Sequence, residues 1–343
     1  MSSRAVFGRV PLLTVAVCGF GSIGQRHAAN IVALGARTIV VTRDPKRAAR
    51  AARKLNARIT ADLDGALDTA DAVIVATPTD EHIGFAMKAV RAGKALFLEK
   101  PVSSSRAGVG ALERLATRLV VEVGCQLRAH PALRILKKRL ASGADGKLLT
   151  FRGVVGQRLD TWRPGADYRR SYSADAARGG GALFDLVHEV DLARWLCGPI
   201  AGLSARLSKV STLQMKAEDL ANLLIECEGG ACGSLQLDML SPVYRRSFEV
   251  ICEQAIYSFG YADGALVRST ARGSRTLYSQ PPGFQRNDLF MTHMSHFLKR
   301  VRKPEIAPLC SLADGIACLD ALLAARKSSR TGRWLVMGEG GRA

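Results

Sequence analysis

The sequence predicts an α/β protein: a doubly wound parallel sheet, followed by an α+β half with a large, mostly antiparallel open sheet. Three features predict it. A glycine turn, Gly19-Phe20-Gly21-Ser22-Ile23-Gly24, joins a valine-rich apolar run to a helical pattern. Short apolar runs then alternate with helical patterns as far as Val123. Beyond Pro199 the apolar runs follow one another with turn residues and no helix between them. The division falls at 11–126 and 127–343.

In the first half, Thr14–Cys18 is the opening strand, Gln25–Leu34 a helix closed by Gly35, and Thr38–Val41 the next strand. Strand, glycine turn, helix and strand within about 30 residues is the context in which G-x-G-x-x-G binds a dinucleotide. Gly19 permits the tight turn, Gly21 lets the backbone approach a pyrophosphate, and Gly24 lets helix and strand pack closely. The helix start then offers free N–H groups to the phosphates. Lys46–Leu55 is expected to be helical, Ala72–Ala76 a buried strand, and Glu81–Ala92 a helix capped by Asp80 and ended by Gly93. Ala95–Leu98 (strand), Ser105–Thr117 (helix) and Leu119–Val123 (strand) complete the alternation. Ligands in such sheets sit at the carboxyl ends of the strands. That singles out Gly19–Gly24, Thr77-Pro78 and Glu99-Lys100-Pro101. The end of the second strand selects the cofactor: an acid there suits NAD, an arginine the 2′-phosphate of NADP. Thr42 and Arg43 stand directly after that strand, with Lys46 and Arg47 near, which favours NADP. Asp44, about 20 residues beyond Gly24, keeps NAD open.

In the second half, Pro131–Ala141 is a predicted helix and Lys147–Val155 a strand. Residues 157–181 form a long polar stretch with Arg158, Arg163, Arg169, Arg170 and Arg178 among Trp162, Tyr168 and Tyr172. A loop of this length in a compact domain is usually functional, and it is expected to close over an anionic or polyhydroxyl ligand. Three glycines, Gly179–Gly181, then lead into a helical pattern carrying Asp185, His188 and Asp191. The last two are spaced to share one helix face, so that Asp191 would orient the imidazole. The strands Leu203–Ser211, Asp219–Cys227, Ala231–Asp238, Ser247–Cys252 and Ala255–Phe259 follow, with a hairpin turn at Glu228-Gly229-Gly230. Helices at Asp288–Arg300 and Ser311–Lys327 close the chain.

The chain has 343 residues, a formal net charge of +19 and a pI of about 10.1. The basic residues are spread over predicted helix faces and no nucleic-acid motif accompanies them, so a solvated basic surface is expected rather than a nucleic-acid interface. That field also favours an anionic substrate or cofactor. Eight cysteines are scattered with no CxxC pair, which argues against a disulfide framework or a metal site. No apolar run is long enough for a membrane helix. Residues 1–10 read as a loose leader, with Arg4 and Arg9, that runs into the glycine turn rather than a cleavage site. A cytoplasmic protein is expected.

Taken together, Gly19–Gly24 with Arg26-His27, Ala76-Thr77-Pro78 with His82, Glu99-Lys100-Pro101, Gly124–Arg128, the triple glycine before Asp185, His188 and Asp191, and Gly233-Ser234 resemble the Gfo/Idh/MocA oxidoreductases over about residues 12–334. Asp185 and His188 have two residues between them where many members have three. That variant resembles a subgroup associated with surface-polysaccharide and nonulosonic acid pathways. The resemblance implies hydride transfer between a nicotinamide and a secondary hydroxyl or carbonyl of a sugar or sugar derivative, a nucleotide sugar or acidic sugar among them. It makes Lys100 the proton-transfer group, a role for which desolvation and a neighbouring cation suit a lysine. His188 becomes a second proton-transfer or hydroxyl-binding group, and Asp185 an orienting one. Gly19, Phe20, Gly21, Ser22, Ile23, Gly24, Thr42, Arg43, Thr77, Pro78, His82, Glu99, Lys100 and Gln126 would line the cofactor. Arg128, Trp162, Arg163 and Tyr168 would join Lys100, Asp185 and His188 around the substrate. A homodimer or homotetramer is expected, because long strands leave an apolar face to cover. The competing reading is a non-catalytic NAD(P)-binding sensor of the same fold.

Overall fold

The structure, a computed structural model, describes residues 12–338. The leader and the last five residues lie outside the described residues, as does the residue 11 boundary.

The first sheet has six parallel strands in the order β3-β2-β1-β4-β5-β6: β1 (Thr14–Cys18), β2 (Arg37–Val41), β3 (Arg58–Thr60), β4 (Ala72–Val75), β5 (Ala95–Leu98) and β6 (Val121–Val123). The order reverses direction beside β1, which is where a doubly wound sheet opens a ligand crevice. Helices α1 (Ser22–Ala33), α2 (Pro45–Lys54), α3 (Leu63–Thr69), α4 (His82–Arg91) and α5 (Val109–Ala116) supply the crossovers. The strands are apolar nearly throughout and buried on both faces, as parallel strands under helices must be.

The second sheet has nine strands, β14-β13-β12-β11-β7-β10-β9-β8-β15. They are β7 (Leu148–Gly156), β8 (Ile200–Ser208), β9 (Leu220–Cys227), β10 (Cys232–Asp238), β11 (Arg245–Cys252), β12 (Ile256–Gly260), β13 (Leu266–Thr270), β14 (Gly273–Tyr278) and β15 (Leu335–Val336). Every pairing is antiparallel except β7 with β10. Burial alternates along β9 and β11, so one face packs inward and the other faces out. The inner face carries α6 (Pro131–Ser142), α7 (Ala182–Asp185), α8 (His188–Cys197) and α10 (Leu312–Thr331). One helix from the second half crosses back: α9 (Arg286–Arg302) packs Met294, Phe297 and Leu298 against Val15, Val17, Ile74 and Phe97 of the first sheet.

Several expectations shift. Asp80 does not cap α4; it lies in a 3-10 turn, Thr79–Glu81, ahead of it. The helix expected from Ser105 begins only at Val109, because Gly108, at φ 74°, turns the chain into it. Residues 157–181 are not an open loop but four short 3-10 turns: Leu159–Thr161, Tyr168–Arg170, Tyr172–Ala174 and Ala176–Arg178. Turns this short leave no periodicity to read. β3, α3, β13, β14 and β15 escaped the pattern for the same reason.

Candidate active site

The first sheet builds one edge of the site by register. Gly19 N–H bonds Val41 O, Ala76 N–H bonds Cys18 O, Glu99 N–H bonds Val75 O, and Gly124 N–H bonds Leu98 O. Each bond joins the residue leaving one strand to its neighbour's last carbonyl. Thr42-Arg43, Gly19–Gly24, Thr77-Pro78, Glu99-Lys100 and the segment after Gly124 therefore line a single crevice.

The glycine turn fits a dinucleotide. Gly19 sits at φ 91°, and a Cβ there would lie 2.7 Å from Ala76 O. A Cβ on Gly24 would lie 2.0 Å from Gly19 O, so only glycine lets α1 approach β1 this closely. Gly21 faces open space, with nothing within 4 Å of a Cβ. It is also the N-cap of α1, with no side-chain cap and no acidic residue in the first turn. The leading N–H groups and the positive end of the helix are thus left for an anion. At the adenosine end, Arg43 is 80% exposed and pairs with Glu81 at 2.8 Å. Thr42 Oγ1 accepts from Asp44 N–H.

Lys100 follows β5 through a cis bond to Pro101. Behind it lies a buried pair: His27 Nε2 is 2.7 Å from Glu99 Oε1, and Lys100 N–H donates to Glu99 Oε2. Burial alone would raise the Glu99 carboxyl, but the His27 hydrogen bond and the nearby Lys100 hold it below the ordinary range. Gly124 makes room, since a Cβ there would meet that carboxylate at 2.9 Å. His82 is buried, with Nδ1 2.8 Å from Pro101 O and Nε2 3.0 Å from Thr77 O. It ties the ends of β4 and β5 together, so its expected place against the cofactor is corrected to one that shapes the crevice wall.

The second half brings its residues to the same point. Lys100 Nζ donates to Asp185 O at 2.8 Å. The Asp185 side chain is buried, Oδ2 has no hydrogen-bond partner, and the Tyr172 and Ser173 hydroxyls face it. Burial raises its carboxyl pKa against the opposing pull of Lys100, Tyr172 and Ser173. Gln126 Nε2 donates to His188 Nε2 at 3.1 Å, which places the imidazole proton on Nδ1. That atom is buried without a partner. Burial, then Lys100 and Arg246, push the His188 pKa well down, so the ring is neutral. Beside it, Glu189 and Arg246 form a fully buried ion pair at 2.7 Å. Arg246 lies over the Tyr244 and Tyr261 rings.

Lys100, Asp185, His188 and Gln126 therefore converge, with Arg163 within electrostatic reach of Asp185. Others do not. Arg128 is buried, and four of its five N–H donors are taken: it bonds Asp191 through Nε and Nη2, and Asp314 and Leu309 O through Nη1. Its expected place on the substrate is corrected to one that braces the second half, because these partners hold the guanidinium inside the fold. Asp191 accordingly holds Arg128 rather than orienting His188. Trp162 donates to Gln157 O, and the Tyr168 hydroxyl accepts from Gln214 N–H, so both brace the 157–181 segment. Tyr172 was read only as part of the 157–181 stretch, and Ser173, Tyr244 and Arg246 were not singled out at all. The inward parity of Arg246 in β11 was the one available signal.

One group among the described residues has metal-ligand spacing: Cys125, Asp191 and Cys310, with ligand atoms within 4.8 Å of one another. Asp191 is spent on Arg128. The Cys125 thiol is raised by its bond to Cys310 and by burial, and burial pushes Cys310 up to about 11. These are poor conditions for a thiolate ligand.

Comparison with known proteins matches residues 13–126 to the oxidoreductase family with an NAD-binding Rossmann fold, and residues 133–258 to the GFO/IDH/MocA C-terminal domain. The scyllo-inositol 2-dehydrogenase (NAD(+)) of Bacillus subtilis is 29% identical over 334 residues, covering 92% of this chain and 94% of that protein. GenD2 from gentamicin A biosynthesis, solved with NAD, is 26% identical with a TM-score of 0.82, covering 99% of this chain and all of the other. A levoglucosan dehydrogenase solved with NADH shares the fold at a TM-score of 0.86 and 24% identity, over 96% of this chain and all of that one.

Proposed function

The chain belongs to the Gfo/Idh/MocA oxidoreductases, and from that premise we propose that it transfers hydride between a nicotinamide dinucleotide and a secondary hydroxyl or carbonyl of a sugar derivative. The observation that carries the reading is the meeting of Lys100 with Asp185 and of Gln126 with His188 beside the open glycine turn. A sensor of the same fold has no use for that convergence of titratable groups across two sheets.

Gly19–Gly24 would hold the pyrophosphate, Thr42 and Arg43 the adenosine ribose, and Thr77, Pro78, Glu99 and Gln126 the remaining length. When bound, the nicotinamide supplies the hydride acceptor or donor. The chain's own residues handle the proton. Lys100 is fixed by one bond to Asp185 O, which leaves its remaining N–H groups for the substrate oxygen; for a hydroxyl it takes the proton as the amine, and for a carbonyl it gives one as the ammonium. His188 offers its Nδ1–H to the same or the neighbouring oxygen. The raised Asp185 carboxyl accepts from an adjacent hydroxyl. The test is turnover of a panel of cyclitols, hexoses and sugar acids with NAD(P)+; tight dinucleotide binding with no oxidation or reduction across the panel refutes the enzyme and favours the sensor.

NADP is proposed as the better cofactor. Thr42 stands where an acid would select NAD, and Arg43 gives up only an exposed ion pair to meet a 2′-phosphate. NADH binding tighter than NADPH in a fluorescence titration refutes this. A homodimer or homotetramer is proposed because the outward face of the second sheet exposes Leu149, Leu224 and Ile256; a monomer by sedimentation at micromolar concentration refutes it. Eight unpaired cysteines, Cys232 exposed, suit a reducing cytoplasm; routine export of the protein in its cells would contradict that setting. Among the described residues no helix is long and apolar enough to cross a membrane.

A further inference from the structure

The triple glycine at 179–181 takes no part in the proton chemistry proposed above, yet each glycine stands where a side chain would be crowded. A Cβ on Gly179 would lie 3.0 Å from Thr79 Cβ and 3.1 Å from Ser104 Cβ, both in the first half. One on Gly180 would lie 2.2 Å from Tyr172 O. One on Gly181, at φ 108°, would lie 2.4 Å from Glu218 Oε1. The chain threads a slot, and at its exit stands a carboxylate from the connection between β8 and β9.

That carboxylate is bonded to α7. Leu183 N–H donates to Glu218 Oε1 at 3.1 Å, and Ala182 N–H donates to Glu218 O at 3.0 Å. The opening N–H groups of a helix need partners from outside it. Gly181, at the N-cap, has no side chain to offer, and all four residues of α7 are buried. Glu218 therefore satisfies two amides that would otherwise be stranded away from water. α7 is a single turn, so its last carbonyl lies one turn from those amides. Asp185 N–H bonds Gly181 O at 3.0 Å, and Asp185 O is the acceptor for Lys100 Nζ. The connection that carries Glu218 is itself anchored. Buried Asp219 accepts from Val210 N–H and Ser211 N–H, and Lys216 N–H donates to Ala174 O at 2.7 Å, next to Ser173.

We propose that Glu218 is a positioning residue: through α7 it sets where Asp185 O holds the Lys100 ammonium. This rests on the dehydrogenase reading above. The role needs an acceptor at the right reach rather than a charge, and an amide oxygen accepts as a carboxylate oxygen does. Releasing the Leu183 amide lets the turn shift, and misplacing a reacting group by about 1 Å costs about a hundredfold in rate.

Two mild variants separate reach from charge. Glu218→Gln keeps an acceptor at full length. Glu218→Asp keeps the charge but draws the oxygen back by one methylene. Each protein is counted by its dinucleotide-binding stoichiometry and assayed on the sugar of the panel that the parent turns over fastest. Glu218→Asp should lower kcat by about tenfold to a hundredfold, while Glu218→Gln stays within about threefold and keeps the parent's pH–rate profile. A merely structural role would lower the melting temperature of Glu218→Asp and leave kcat per binding site alone. Parent-like kcat in Glu218→Asp overturns the inference and leaves the dehydrogenase standing; so does a loss in Glu218→Gln as deep as in Glu218→Asp. If the parent itself turns over no sugar, the dehydrogenase reading falls, and amide hydrogen exchange over residues 182–188 decides. Faster exchange in Glu218→Asp alone supports Glu218 as the hold on α7 and its contact with Lys100; any other pattern overturns it.

Discussion

Lys100 Nζ donates to the main-chain carbonyl of Asp185 at 2.8 Å, tying the end of β5 in the first sheet to the end of α7 under the second. The acceptor is the carbonyl, not the carboxylate, so the Asp185 side chain is not committed to Lys100 by a hydrogen bond. The ammonium is oriented without being neutralised by an ion pair.

From this follows the sharpest prediction. Lys100→Met should lower kcat by about 100-fold to 10,000-fold, the usual worth of a positioned acid–base group. Dinucleotide affinity should stay within a few-fold, because the pyrophosphate seat proposed at the start of α1 does not involve the Lys100 side chain. Steady-state turnover with a parallel fluorescence titration checks both. Turnover within tenfold of the parent would remove Lys100 from the chemistry.

Much of the fold was legible because the first sheet is buried on both faces. Runs such as Ala72–Val75 and Ala95–Leu98 are then wholly apolar, and glycines punctuate them. The glycine turn was legible for a different reason: its strand–turn–helix context is local in the chain. Lys100, Asp185 and His188 were singled out as catalytic by a resemblance, and that Lys100 and Asp185, 85 residues apart, would touch was not written in any local pattern. What failed was long-range pairing. No local pattern shows that Arg128 closes on Asp191 and Asp314, or that Glu189 meets Arg246, since these partners lie far apart in sequence and meet only after both sheets form. The side chains of residues 157–181 were read as ligand-facing because they are aromatic and basic. Several instead satisfy one another or the backbone, as Trp162 does on Gln157 O.

The Arg128–Asp191 pair is buried on both sides and held at 2.6 Å. Removing one partner strands the other charge, at a cost of about 3–5 kcal/mol. Arg128→Met should therefore lower the melting temperature sharply, whereas Arg128→Met with Asp191→Leu should recover part of the loss. Scanning calorimetry on the two variants measures it. A single variant with unchanged melting but a raised substrate KM would return Arg128 to the substrate.

His188 supplies a pH dependence with a definite sign. Its folded pKa is depressed, chiefly by burial, so the native ring refuses a proton that the unfolded chain takes up near the ordinary value of about 6.5. The unfolded state then binds more protons below that pH, and stability falls as pH drops from about 6.5 towards the depressed folded value, by at most ~1.4 kcal/mol per pH unit. His82 and His130 are depressed by burial too and act in the same direction. His188→Gln should flatten the slope between pH 7 and 5 relative to the parent, as read by urea unfolding at each pH. An unchanged slope would mean the ring is not held neutral.

The glycine turn allows a test that separates shape from stability. Gly24→Ala places its Cβ 2.0 Å from Gly19 O, a backbone atom that cannot swing away. The helix must move off the strand, so both melting temperature and dinucleotide affinity should fall. Gly21→Ala meets nothing within 4 Å, and Gly21 has an ordinary extended backbone at φ −71°. The chain should therefore fold with nearly the parent's melting temperature. Its new methyl group nonetheless points into the space where the pyrophosphate must approach the start of α1, so NADPH affinity should fall by more than about tenfold, a loss of some 1.4 kcal/mol. Thermal melts with and without NADPH distinguish the two variants. The Gly21 variant should melt like the parent when empty and gain little from added nucleotide. If it is stabilised by NADPH as strongly as the parent, the dinucleotide does not lie across this turn.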